Sequence, residues 1–170
     1  GKNDALTADV AINSGAAISL SGAGTLGTSQ IALEGDLNLN SSTTFSNQLS
    51  GKGTVNTKAD VTLTGDNSGF AGVFNINDKT LSVTSEKQLG TASIVNHGAL
   101  DIRLLVDGQL VNTMTGIGDF IKSGHGSLSV TNELLHTGQT QIHEGTLFLE
   151  KGAVLGGAQS VGSVHIAKDA

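Results

Sequence analysis

The chain has 170 residues and a formal net charge of −6, with 37% hydrophobic but only 3% aromatic residues, so any core is aliphatic. One arginine (Arg103) and the acidic balance leave no basic footprint, which argues against nucleic acid or an anionic membrane surface as partner. Cysteine and proline are absent beside 24 glycines, which excludes a disulfide scaffold and a proline-rich or collagenous chain; no run of about 18 apolar residues offers a membrane-spanning helix.

Short segments alternating an aliphatic with a polar residue recur in chain order: Ala17-Ile18-Ser19-Leu20, Ile31-Ala32-Leu33, Leu37-Asn38-Leu39, Val61-Thr62-Leu63, Phe74-Asn75-Ile76, Leu81-Ser82-Val83, Leu100-Asp101-Ile102, Leu128-Ser129-Val130, Leu147-Phe148-Leu149 and Val164-His165-Ile166. A period of two predicts strands with one buried face, and the Gly, Asn, Asp and Ser between them predict turns. The patch Ser85-Glu86-Lys87-Gln88-Leu89 tolerates a helix but is too short to weigh on the fold. No signal peptide is visible, and the start at Gly1-Lys2-Asn3-Asp4 reads as a segment of something larger.

Spacing selects the architecture. A small residue followed by an aliphatic or aromatic one recurs at Thr80-Leu81, Ala99-Leu100, Asp119-Phe120 and Thr146-Leu147, at intervals of 19, 20 and 27 residues. A sandwich places turn signals about every 8–12 residues; several very short strands in a rung of about 20 describe a parallel β-helix. The last interval then reads as a coil with an insertion. Ala71–Val83 and Thr137–Leu149 also match at a constant offset of 66 residues, which reads as three coils plus a loop. The expected fold is all-β: a right-handed parallel β-helix of about eight coils with a C-terminal cap. Residues 1–115 form passenger-type coils and 116–170 the terminal coils and cap, as one continuous unit.

Residues Gly116-Ile117-Gly118-Asp119-Phe120-Ile121-Lys122-Ser123-Gly124-His125-Gly126-Ser127-Leu128-Ser129-Val130-Thr131 resemble the start of the transport-associated repeat of autotransporter passenger domains. That repeat reads Gly-x-Gly, aromatic, x, Lys, x, Gly-x-Gly, x, Leu, x, aliphatic, Thr. Its second half stands here as His136-Thr137-Gly138-Gln139-Thr140-Gln141-Ile142-His143-Glu144-Gly145-Thr146-Leu147. His136 takes the place of a usual aromatic, which weakens one packing contact. The resemblance implies a bacterial surface or secreted protein of type V secretion, with actin-motility autotransporters and AIDA-type adhesins as its relatives. It further implies a non-enzymatic autochaperone segment that folds first and templates earlier coils. Implied partners are the preceding coils of its own passenger, the C-terminal outer-membrane barrel during export, a host protein reached through the parent passenger, and further copies by self-association. No cofactor, catalytic residue or metal is expected.

Residues expected to carry the template are structural: Phe120, Leu128, Val130, Ile142, Leu147 and Leu149 pointing inward. Ile121, Leu135 and Phe148 are the members of apolar pairs expected to face outward as an interaction patch. An adhesin reading uses side loops at 84–98 or 105–115. A polysaccharide-cleaving β-helix is the enzyme alternative, with Asp101, Arg103 and Asp107 as its group, although a surface ion pair explains Asp101 and Arg103 equally well. Gly22-Ala23-Gly24-Thr25-Leu26-Gly27 fits a dinucleotide pattern but precedes a strand-like run where a helix is required, so it reads as turn glycines. His97, His125, His136, His143 and His165 read as solvated coil-face residues without metal spacing, and Asp66-Asn67-Ser68-Gly69 as an Asx turn without a calcium loop.

Overall fold

Alternating runs only three to five residues long bury one side and must then turn, so the chain winds. The computed structural model describes residues 2–157 and the backbone of Val164–Ile166. Every strand ladder in it is parallel. Strands are numbered in chain order and fall on three faces, visited in the same sequence from β3 onward, with Glu86–Gln88 in place of one third-face strand.

The first face is an eight-stranded sheet: β2 (Ala17–Leu20), β4 (Asp36–Leu39), β7 (Thr54–Thr57), β10 (Val73–Ile76), β12 (Ser93–Asn96), β15 (Met114–Gly116), β18 (Glu133–His136) and β21 (Val154–Leu155). The second has seven strands: β5 (Thr43–Phe45), β8 (Val61–Leu63), β11 (Thr80–Val83), β13 (Ala99–Arg103), β16 (Asp119–Ser123), β19 (Thr140–Ile142) and β22 (Val164–Ile166). The third face is divided. Strands β1 (Val10–Ile12), β3 (Ile31–Leu33), β6 (Leu49–Gly51) and β9 (Gly69–Phe70) form one sheet; β14 (Gly108–Leu110), β17 (Leu128–Val130) and β20 (Leu147–Leu149) form another. The result is a parallel β-helix of about seven turns, some 34 Å long at about 4.8 Å per step.

The helix-tolerant patch matters more than its length suggested. Glu86–Gln88 forms a 3-10 turn, closed by a capping box between Ser85 and Gln88, where the third face would otherwise carry a strand. Its neighbourhood still ties to adjacent turns: Asn67 N donates to Lys87 O, and Thr91 N to Phe70 O. The turn interrupts the ladder and splits that face in two.

Columns of stacked side chains fill the interior. On the first face Leu37, Val55, Phe74, Ile94, Met114 and Leu134 are in register and essentially inaccessible. On the second, Val61, Leu81, Leu100, Phe120 and Thr140 stack in the same way. Burying each large side chain contributes about 1.5–3 kcal/mol, and no turn holds enough of them to stand alone.

Register corrects two readings of spacing. Phe120 stacks on Thr140, a regular 20-residue step, so the 27-residue interval to Leu147 is one turn plus a move to the next face, not a coil with an insertion. For the same reason the 66-residue repeat does not superpose equivalent faces. Val73–Ile76 lies on the first face and its match Thr140–Ile142 on the second; Thr80–Val83 lies on the second and Leu147–Leu149 on the third. What repeats is a strand–corner–strand unit that the solenoid uses on whichever face comes next. The expected division at 115 and 116 falls inside β15, and the first-face and second-face ladders run on through it. Part of the expected C-terminal cap, residues 158–163 and 167–170, lies outside the described residues.

Candidate functional site

The segment that resembles the transport repeat forms the sixth and seventh turns. Alternation in β16 turns Phe120 and Lys122 inward, and both are fully buried. Leu128, Val130 and Ile142 are buried as expected. Leu147 and Leu149 stack over Leu128 and Val130 on the inward side of the strand, yet Leu147 is only half-buried and Leu149 is 48% exposed, so neither is the buried core residue expected. β20 is the last strand of its sheet, so nothing pairs along its far edge among the described residues.

The outward set is also corrected in part. Phe148 is 55% exposed as expected, whereas Ile121 and Leu135 are half-buried. Ile121 lies between Asp101 and Gln141 on neighbouring turns, and Leu135 stacks on Thr115, so each outward side chain is walled in by its column. Besides Phe148 and Leu149, strongly exposed apolar residues lie at corners: Leu105, Val106 and Ile117. The expected side loops are largely structured: 84–98 holds the 3-10 turn and β12, and 105–115 holds β14 and the start of β15.

Lys122 is the residue that spacing alone passed over. Its ammonium donates to the carbonyl oxygens of Ser123 (2.9 Å), Gly124 (2.6 Å) and Glu144 (3.1 Å), the last on the following turn. A buried charge is tolerable only when its donors are satisfied, and here carbonyls from two successive corners do so. Desolvation pushes its pKa below the usual lysine range, while the negative charges of Glu144 and Asp101 pull the other way. Gly124 has φ +73° at this corner, a backbone conformation that glycine adopts without strain. The sequence signal was available: a lysine two residues after an inward phenylalanine points inward.

His136 is likewise interior, not on a solvated face. It is 1% exposed, its ring centroid lies 6.1 Å from that of Phe120, and it bonds Leu134 O through Nδ1 and Thr140 Oγ1 through Nε2. Because a carbonyl only accepts, Nδ1 carries the proton and Nε2 accepts from the threonine hydroxyl. The histidine therefore keeps the aromatic packing position and adds two hydrogen bonds. Burial lowers its pKa, against opposing effects from the Leu134 carbonyl and Asp119.

Asparagines at the corner leading into the third face were also missed. Asn67 accepts from Leu49 N (2.8 Å) and donates to Gln88 O (2.7 Å), bridging the turns below and above. Asn47, at the equivalent corner, donates to Ser29 O of the preceding turn, and Asn112, at the corner from the third face into the first, donates to Ala92 O. Outside, Asn38, Asn56 and Asn75 form an amide ladder in which each donates to the one before or to Ser19.

Two of the three residues singled out for catalysis, Asp101 and Asp107, are engaged in holding turns together. Asp101 accepts from Ser123 Oγ at 2.9 Å and Asp107 from Ser127 N at 2.8 Å. Asp60 and Asp119 accept from Thr80 N and Gln139 N in the same manner. Asp66 closes an Asx turn onto Ser68, whose hydrogen bonds lower its pKa. Gly22 and Gly27 both have positive φ, as turn glycines do. His97, His125 and His143 are exposed, and the side chain of His165 lies outside the described residues. Among the described residues no three His, Cys, Asp or Glu side chains cluster as a metal site.

Comparison with known proteins gives two relatives. The chain is 36% identical over 173 aligned positions to an uncharacterized lipoprotein, YdeK, of Escherichia coli K12, covering 98% of this chain and 13% of YdeK. It is 41% identical over 68 positions to an uncharacterized protein, YuaQ, of the same organism, covering 40% of this chain and 5% of YuaQ. The chain thus spans a small part of each relative. No family model and no solved structure matches it.

Proposed function

We propose that this chain is a non-enzymatic folding-template segment of a long β-solenoid of the bacterial cell envelope, of the kind found in autotransporter passengers. One observation carries the reading. The residues that resemble the transport repeat coincide with a tie between turns, Lys122 bonding carbonyls of two successive corners from inside the core. Formed turns present pairing edges to unformed ones, so nucleation is costly and propagation cheap in such a stack. Support for the envelope comes from YdeK, whose description is a lipoprotein. Display at the cell surface, export through an outer-membrane barrel and a place in a virulence factor are the finer parts of this proposal.

Leu128→Asp and Ile142→Asp test it, with Ser129→Asp as the outward control on the same strand. The two core variants should abolish refolding of the 170-residue chain and reduce the amount of the longer protein that reaches the cell surface. Unchanged display with either core variant overturns the template role.

A second reading, an adhesive rod, is favoured by Leu105 and Val106, 57% and 74% exposed side by side at one corner. Leu105→Ser with Val106→Ser should abolish attachment to host cells while leaving the fold intact. Retained attachment removes this reading.

A further inference from the structure

The divided third face leaves a dent in the side of the rod, part-way along it. The outward column runs Ala11, Ala32, Ser50 and Gly69 over successive turns and resumes at Gln109, Ser129 and Phe148, with no strand residue between Gly69 and Gln109. The cause is local. A strand here would put Gln88 inside, six positions before Ile94 as Leu49 stands before Val55 and Leu128 before Leu134, and would turn Leu89 out. The 3-10 turn instead buries Leu89 completely and ties the Gln88 amide oxygen to Thr84 N at 2.8 Å. What it vacates is a cavity of about 170 Å³ whose lining includes Ser68, Glu86, Lys87, Thr91, Gln109 and Val111.

One wall of the cavity is an uncovered strand edge. Gly108 N donates to Ser127 O and Leu110 O accepts from Thr131 N, so both residues bond toward β17. Alternate residues of a parallel strand bond opposite neighbours, which aims the N–H and C=O of Gln109 into the cavity. Among the described residues neither group has a hydrogen-bond partner. Charge of both signs stands beside them. A Cβ at Gly108 would lie 2.7 Å from Glu86 Oε2, and exposed Lys87 follows Glu86 in the same lining. A donor, an acceptor, an anion and a cation in one small cavity complement a single zwitterion. We propose that this cavity binds a free α-amino acid. The ligand's carboxylate accepts from Gln109 N–H and Lys87, its ammonium donates to Gln109 C=O and Glu86, and an aliphatic side chain lies against Val111, which is 37% exposed. The cavity is smaller than the roughly 300–1,000 Å³ of sites for drug-sized ligands, which suits a molecule of this size. The site goes beyond the template reading and does not rest on it.

Titration of L-leucine into the isotope-labelled chain, followed by NMR, tests the site. The backbone amide signals of Gln109 and Thr91 should shift and saturate while that of Ser129 stays in place. N-acetyl-leucine, which lacks the ammonium, and leucinamide, which lacks the carboxylate, should each bind at least about tenfold more weakly, since each loses a charged hydrogen bond. Glu86→Gln should erase the preference for leucine over N-acetyl-leucine, and Lys87→Gln the preference over leucinamide, with signals away from the cavity unchanged as the check on folding. Absence of a saturable shift at Gln109 with leucine overturns the proposal. So does equal binding of leucine and N-acetyl-leucinamide, which carries no charge and marks the edge as a site for extended peptide instead.

Discussion

The Lys122 ammonium lies 3.1 Å from the carbonyl oxygen of Glu144, one turn further along the solenoid. Truncating that side chain leaves both a cavity and unmatched carbonyls. Lys122→Ala should therefore cost about 3 kcal/mol in urea unfolding, and Lys122→Met, which fills the space but donates nothing, about 1–2 kcal/mol. A Lys122→Met chain more stable than the parent would mean that desolvation of the charge outweighs its three hydrogen bonds.

The same lysine sets an alkaline pH dependence. Its pKa in the folded chain lies below the 10.5 of a free lysine. Between those two values the folded state has released the proton that the unfolded state still holds, so stability rises with pH through that window. Lys122→Met should remove the rise in stability measured by denaturant titration across the alkaline range.

His136 acts at the acid end. Its folded-state pKa is lowered from 6.5. Above 6.5 both states are neutral and its contribution is complete; as pH falls from 6.5 toward the lower folded-state value, only the unfolded chain takes up the proton and stability is lost. His136→Phe keeps a ring beside Phe120 and should flatten this acid limb, at the expense of the Thr140 hydroxyl's partner. Urea midpoints measured on either side of 6.5 for the two chains check the sign.

Gly118 is held by close approach. A Cβ there would collide with the Gly98 carbonyl oxygen and with Asn96 Oδ1, and that oxygen already accepts from Gly98 N at 3.1 Å. Gly118→Ala should destabilise by about 2 kcal/mol, because neither backbone nor bonded amide can move aside. A thermal midpoint unchanged from the parent would show that the corner relaxes.

Inner and outer asparagines should differ. Asn67→Ala leaves a buried N–H and a buried carbonyl without partners and should cost about 3 kcal/mol; Asn56→Ala on the outer ladder should cost under about 1 kcal/mol. Equal losses in urea unfolding would contradict the distinction between the two positions.

Strand existence and inward side chains were legible because alternation is a local property: Leu81 and Val83, or Leu128 and Val130, point the same way wherever the strand ends up. The same rule reaches Lys122, which spacing passed over, and, through β18, His136, which ring polarity disguised as a surface residue. What alternation does not encode is the face a strand joins. The 66-residue repeat slipped by one face because face membership depends on corner length and on the turn beneath, not on the strand's own residues. Leu149 is more exposed than Val130, over which it stacks, because among the described residues no strand lies beyond it, a fact of position in the stack.

By itself, then, the amino-acid order determined short strands, glycine-rich corners, an aliphatic interior and a rung of about 20 residues, since each follows from side-chain periodicity and backbone freedom. Tertiary structure alone decided three things. The Glu86–Gln88 turn divides the third face, Lys122 and Asn67 bind one turn to the next, and β20 is the last strand of its sheet among the described residues. These depend on which residues the winding brings within hydrogen-bond reach from about 20 positions away, a separation over which sequence pattern carries no register.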